Sequence, residues 1–252
     1  MRQFLFALIL SLLQPTSALA FRILIDPGHG GTDHGATYGA AQESKLVLKV
    51  ANELKQKLSN DIRFSVEMTR NSDQLIPLSE RVKKAEQFSA DLFISLHANA
   101  NPDRKVKGME VYFQNQMPIE EENLFLANEE SQWLPVTTNN EKITPTDLNK
   151  SSDINTIIDD LKRQGRIKLS LYFSEILKQN WSGHIRQAPF YVISKTRVPS
   201  ILIEIGFLSH AQEAEKLISK KTQQELADKI YQSVIKYAET IKSKSTSLSK
   251  ID

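Results

Sequence analysis

Short apolar runs alternate along this chain with segments whose apolar residues return every three or four positions, and that alternation constrains the fold more than any other feature. Phe21-Arg22-Ile23-Leu24-Ile25, Leu92-Phe93-Ile94-Ser95-Leu96, Gly108-Met109-Glu110-Val111-Tyr112-Phe113 and Ser200-Ile201-Leu202-Ile203-Glu204 read as buried strands. Ile62 to Thr69 adds a strand with Phe64, Val66 and Met68 alternating, and Phe190-Tyr191-Val192-Ile193 is a further strand candidate. Between them, Leu46, Val47, Val50, Leu54 and Leu58 share one helix face, as do Leu78, Val82, Ala85 and Phe88 after Pro77. Ile154 to Ile176 gives a long amphipathic helix that runs through Gly165, and Leu226, Ile230, Val234, Tyr237 and Ile241 give the last one. Strands interleaved with helices in this way predict an α/β fold: a single three-layer domain whose mostly parallel, twisted sheet of about six strands is flanked by helices.

The ends and one internal stretch stand outside this pattern. Arg2, the apolar run Phe4 to Leu13, Pro15 and Ala18-Leu19-Ala20 have the order of a signal peptide over residues 1–20, so export is expected and the mature chain should begin near Phe21. No later apolar run approaches the length needed to span a membrane. Residues 21–242 are then expected to form one domain, and 243–252 a Ser/Lys-rich disordered tail. Gln114 to Lys150 is a polar insert broken by Pro118, Pro135 and Pro145, far longer than the usual connection of roughly 2–6 residues, with Glu121 to Trp133 spaced for a short helix. The formal charge of +2 falls to about +1 when Arg2 leaves, which argues against a nucleic-acid partner. With no cysteine, the core must hold without disulfides and any metal site must use His, Asp or Glu.

Three of the apolar strands run into a conspicuous polar residue: His29, His97 and Glu204. Ligands of open α/β sheets collect beyond the carboxyl ends of the strands, so these side chains should converge, joined by Glu43 at the start of the first helix. Two imidazoles and a carboxylate make a catalytic zinc shell with one position left open, and Glu204 would be the carboxylate that takes a proton from water and passes it to a leaving amine. On spacing alone, His29 is equally a loop histidine on a Gly-rich turn, and His97 a strand-end histidine bonded to backbone.

Several blocks carry a resemblance. Ile25-Asp26-Pro27-Gly28-His29-Gly30-Gly31, Glu43, Thr69-Arg70, Ser95-Leu96-His97-Ala98-Asn99-Ala100 and Ile203-Glu204-Ile205-Gly206-Phe207-Leu208-Ser209 resemble the signature blocks of the zinc-dependent N-acetylmuramoyl-L-alanine amidases of the cell-division type. The resemblance implies one Zn2+ per chain on His29, Glu43 and His97, with Glu204 as the catalytic glutamate. It implies peptidoglycan as substrate, cut at the amide between the lactyl group of N-acetylmuramic acid and L-alanine, in the periplasm. It also implies that the 114–150 insert is regulatory. Leu126-Ala127-Asn128-Glu129-Glu130 is similar to a segment that blocks the cleft until an activator protein of the cell-division machinery removes it, and Glu130, ahead of Glu129, matches the acid that reaches the metal. A solvated acidic helix is the ordinary alternative. A monomer is expected.

Other positions stay open between roles. Asp26 either accepts from an imidazole or caps the Pro-Gly turn, and Asn99 either contacts substrate or stabilises its loop. His34 is either a solvated loop residue, the favoured reading, or a contact to sugar; His184 is a candidate to line the cleft, and Arg70 is expected in a structural salt bridge. The competing readings are another zinc hydrolase of cell-wall peptides, such as a carboxypeptidase, and a metal-free wall-binding module.

Overall fold

In the computed structural model, residues 20–114 and 150–248 are described; the expected leader, Glu129, Glu130 and nearly all of the expected insert lie outside them. Strand β1 (Phe21–Pro27) is buried along almost its whole length because it has a parallel neighbour on each side, β4 (Phe64–Met68) and β5 (Leu92–Asn99). Helices cover both faces of this parallel part of the sheet, which is why these segments read as continuous apolar runs. β8 (Ser200–Phe207) lies parallel to β5 on its other side, and β6 (Met109–Phe113) runs antiparallel to β8. β7 (Gly183–Gln187), parallel to β6, ends the sheet, whose order is β4-β1-β5-β8-β6-β7. A two-residue hairpin, β2 (Thr37–Tyr38) and β3 (Ala41–Gln42), stands apart from it.

The helices are α1 (Glu43–Ser59), α2 (Leu78–Gln87), α3 (Lys150–Asn180), α4 (Tyr191–Lys195), α5 (Ala211–Ile218) and α6 (Lys220–Leu248). On one face of the sheet, Ile23, Ile25, Ile94, Leu96, Ile201 and Ile203 pack with Val50 and Leu54 of α1, Phe173 of α3 and Ile230 of α6. On the other, Leu24, Phe93, Leu202 and Tyr112 pack with Ala85 of α2 and Val192 and Ile193 of α4. This second face changes character along the strands. Leu24 gives way to Asp26, Phe93 to Ser95 and His97, and Leu202 to Glu204, while antiparallel β6 supplies Glu110 beside Glu204. A polar row therefore crosses the sheet at one end, over an apolar floor.

Two expectations are corrected. Phe190 to Ile193 is not a strand: Ser194 N–H bonds the carbonyl of Phe190 (2.9 Å) as a short helix begins, and Phe190, Val192 and Ile193 all turn into the second core cluster. The sixth strand is instead Gly183–Gln187, which has no apolar run because it is an edge strand bonded to one neighbour and only partly covered. α6 also continues to Leu248, into the stretch from 243 that was expected to be disordered. Hairpin β2–β3 and helix α5 were not foreseen.

Candidate metal centre

β1 delivers the chain into a turn that only special backbone can make. His29 has φ 55, Gly30 φ 130 and Gly31 φ 63, three consecutive residues in or near the left-handed region. A histidine in this conformation is uncommon and costs on the order of 1–3 kcal/mol, so its surroundings must hold it there. The turn is closed by a Gly30–Asp33 bridge, with Gly30 N–H donating to the Asp33 carbonyl at 2.8 Å.

The turn aims His29 at the start of α1. Its Nδ1 lies 2.8 Å from Oδ2 of Asp33, whose other oxygen accepts from Gly35 N–H at 3.1 Å. Burial acts to raise the pKa of Asp33, but hydrogen bonding and charge from His29 outweigh it and hold the carboxyl below its usual range. With Nδ1 so engaged, Nε2 of His29 faces Oε1 of Glu43 at 3.1 Å. Nδ1 of His97, from β5, approaches the same oxygen at 3.1 Å. Glu43 is fixed by two backbone donors, Ala36 to Oε2 at 2.8 Å and Ala98 to Oε1 at 2.9 Å. Burial pushes its pKa up, yet the two imidazoles outweigh that and keep the carboxyl ionised, well below the ordinary range.

Among the described residues, His29, Glu43 and His97 form the group whose ligand atoms all lie within 4.8 Å of one another. The donor set fits a divalent ion of the zinc type, since two imidazoles and a carboxylate are its usual catalytic ligands. The spacing fits as well: a tetrahedron with bonds of about 2.0–2.1 Å has donor–donor edges of roughly 3.3 Å. Glycine makes room for the group. A Cβ on Gly35 would sit 2.5 Å from Glu43 Oε2 and 2.7 Å from His29 Cδ2, and one on Gly28 would collide with the His97 ring.

Glu204, almost wholly buried on β8, is the register partner of His97 on one side and of Glu110 on the other. Glu110 was missed from the sequence; its signal was an acid inside an apolar strand. It accepts from Tyr112 (2.8 Å), Asn99 (3.3 Å) and Arg186 Nε (2.7 Å). Burial first, then the charge of Glu110, push the Tyr112 phenol far above its usual pKa, so it remains a donor. Asn99 thus has a structural partner. His184 is the register neighbour of Glu110 and is exposed, and His34 is exposed on its loop. A cleft of about 100 Å³ opens beside His29 and His97, walled by Leu75, Ile76 and Pro77 before α2 and by Phe190 and Tyr191 at α4.

Asp26 takes neither of its expected roles. Its oxygens accept from Arg81 (2.7 Å), Thr69 (2.6 Å) and Ser95 (2.8 Å), and the carboxylate that orients an imidazole is Asp33, four residues after His29. Arg70, expected in a salt bridge, donates among the described residues to backbone carbonyls only.

Fold and site together define a three-layer α/β domain built around a candidate metal centre at the carboxyl ends of its parallel strands. Residues 23–236 match the family model described as N-acetylmuramoyl-L-alanine amidase, and the chain belongs to that family. It is 33% identical over 229 residues to the N-acetylmuramoyl-L-alanine amidase AmiC of Neisseria meningitidis serogroup B, covering 86% of this chain and 53% of that protein. To AmiA of Escherichia coli K12 it is 31% identical, covering 85% and 75%. The chain thus spans about half the length of its AmiC relatives. Among solved structures, an N-acetylmuramoyl-L-alanine amidase from Clostridium difficile 630 superposes with a TM-score of 0.62 at 27% identity, covering 87% of this chain and 97% of that one. The catalytic domain of CwlV from Bacillus (Paenibacillus) polymyxa shares the fold, with a TM-score of 0.64 at 23% identity, covering 86% and 98%.

Proposed function

We propose that this chain is an exported, zinc-dependent amidase that hydrolyses the bond between N-acetylmuramic acid and L-alanine in peptidoglycan. The observation that carries this is the meeting of His29, Glu43 and His97 within one ligand shell, with Glu204 on the strand beside His97, in a member of this family. Zinc, when bound, supplies a Lewis acid for the scissile carbonyl and lowers the pKa of water. The chain's own residues do the rest. Asp33 fixes the His29 imidazole, and the backbone N–H groups of Ala36 and Ala98 fix the Glu43 carboxylate. Glu204 takes a proton from the attacking water at a carboxylate oxygen and returns it to the nitrogen of L-alanine as the C–N bond breaks. Water thereby ends as the lactyl carboxylate and the free amine. The cleft walls between α2 and α4 limit access of bulk water.

Regulation belongs to the same proposal. The carboxylate of Glu130 in the insert would occupy the open ligand position until an activator protein withdraws it; the support is the resemblance of Leu126–Glu130 to a blocking segment. We place the monomeric mature protein in the periplasm, on the signal-peptide pattern and the family's substrate.

The test is digestion of purified peptidoglycan by the zinc-loaded chain. New L-alanine amino termini together with lactyl carboxylates are expected; release of terminal D-alanine would instead indicate a carboxypeptidase. Glu204→Gln should keep the metal and lose roughly 10²–10⁴-fold in turnover. A wall-binding module would show no turnover to lose.

A further inference from the structure

Arg70 and Arg81 are among the largest fully buried side chains of the molecule, and both are directed at the turn that carries His29. Arg70 donates from Nε to the carbonyl of Pro27 (2.9 Å) and from Nη2 to those of Gly28 (2.7 Å) and Ser44 (2.7 Å), the last next to Glu43. Arg81 donates from Nη1 to Asp26 (2.7 Å) and the Pro27 carbonyl (2.7 Å), and from Nη2 to the carbonyl of His29 itself (2.7 Å). The three successive carbonyls of the turn are thus all taken by guanidinium groups. Gly30 is packed onto this arrangement so closely that a Cβ there would meet the backbone of Gln74 and lie 3.1 Å from Arg70 Nε.

Buried carbonyls in a turn have no ladder partner and must be satisfied otherwise. Two cations buried together are a costly way to do so: burial, and then the charge of Arg81, bring the Arg70 guanidinium down to about 10. The planar fork of arginine is what the geometry requires, because it can bond several carbonyls at fixed angles where an ammonium cannot. In zinc fingers and many small metal-binding domains the site forms only as the ion binds, so binding and folding are coupled. Here the carbonyls of Pro27, Gly28, His29 and Gly30 all accept from protein donors.

We propose that Arg70 and Arg81 are the positioning residues of the candidate metal centre, holding the His29 turn in ligating geometry before the ion arrives. This rests on reading His29, Glu43 and His97 as ligands. The site is then preformed, and metal uptake is a binding step separate from folding.

The experiment is titration of the chelator-stripped full chain with Co2+, following the visible absorption that reports four-coordinate geometry. Arg81→Lys keeps a positive charge opposite Asp26 but loses the fork, and should bind Co2+ about 10–100-fold more weakly, with an altered band, while its metal-free circular dichroism remains that of a folded protein. Equal affinity and an identical band in a folded Arg81→Lys would overturn the proposal. Should that variant not fold, hydrogen exchange in the parent decides. The amides of Gly28 and Gly30, bonded to the carbonyls of Leu96 and Asp33, should be equally protected with and without Co2+. A large rise in their exchange on metal removal would show that the ion, not the arginines, holds the turn. A parent chain that takes up no Co2+ would instead sink the ligand assignment.

Discussion

Oδ2 of Asp33 sits 2.8 Å from Nδ1 of His29, and this contact decides which nitrogen of the imidazole is turned toward Glu43. The second nitrogen of a ligating histidine sets its tautomer and orientation, and partners of this kind are worth roughly 10–100-fold in metal affinity. Asp33→Ala is therefore expected to weaken zinc binding by about that factor, with Asp33→Asn intermediate because an amide oxygen can still accept. Competition against a chromophoric chelator measures it. Unchanged affinity in Asp33→Ala would remove Asp33 from the site.

Gly35 and Gly39 both have positive φ, 62 and 55, but differ in what a side chain would meet. At Gly39 nothing lies within 4 Å, whereas at Gly35 a Cβ would press on Glu43 and His29. Alanine at either position carries the left-handed penalty of about 1–3 kcal/mol. Only Gly35→Ala should also lose the metal. Thermal unfolding and zinc content of the two variants, measured together, separate backbone strain from damage to the ligands.

Asp26 and Arg81 form a buried pair whose acid sensitivity has a definite sign. Burial alone would raise the carboxyl pKa, but Arg81, Thr69 and Ser95 outweigh it, so the folded value lies below the unfolded one near 3.8. Stability from this group is then fully present above the unfolded value and lost as pH falls through the lowered one. Denaturant midpoints should decline below about pH 4. Asp26→Asn, which strands the guanidinium, should cost about 3–5 kcal/mol at neutral pH and flatten that decline. A variant as acid-sensitive as the parent would assign the decline to other carboxylates.

Deleting residues 116–149 should raise basal hydrolysis of peptidoglycan if the insert carries the blocking carboxylate. Glu130→Ala should do so as well, and more than Glu129→Ala. A folded deletion variant with unchanged activity would count against gating by the insert.

The strands that carry the proposed ligands could be read from the chain because they are central and parallel: burial on both faces leaves an unbroken apolar run that stops where a polar side chain enters the site. β7 could not be read, since an edge strand pairs on one side only and Gly183–Gln187 is partly exposed. Phe190–Ile193 misled for the opposite reason, being apolar because it covers the sheet from above as part of α4. Helix α5 was hidden in a stretch whose first turn is capped by His210, which accepts from Glu213 N–H at 3.3 Å.

For the site, the sequence by itself determined the chemical types, two imidazoles and two acids at strand and helix ends, because those residues interrupt patterns that otherwise serve burial. It could not determine partners. Asp26 and Asp33 are both acids close to His29, and chain position favours neither. Folding gives Asp26 to Arg81, 55 residues away, and Asp33 to His29, because a left-handed turn bends the chain back on itself. The same holds for Glu110 and Glu204, far apart in the chain and adjacent in the sheet. Spacing along a chain records what each segment must bury, whereas a hydrogen bond depends on where distant segments meet, and only the tertiary structure sets that.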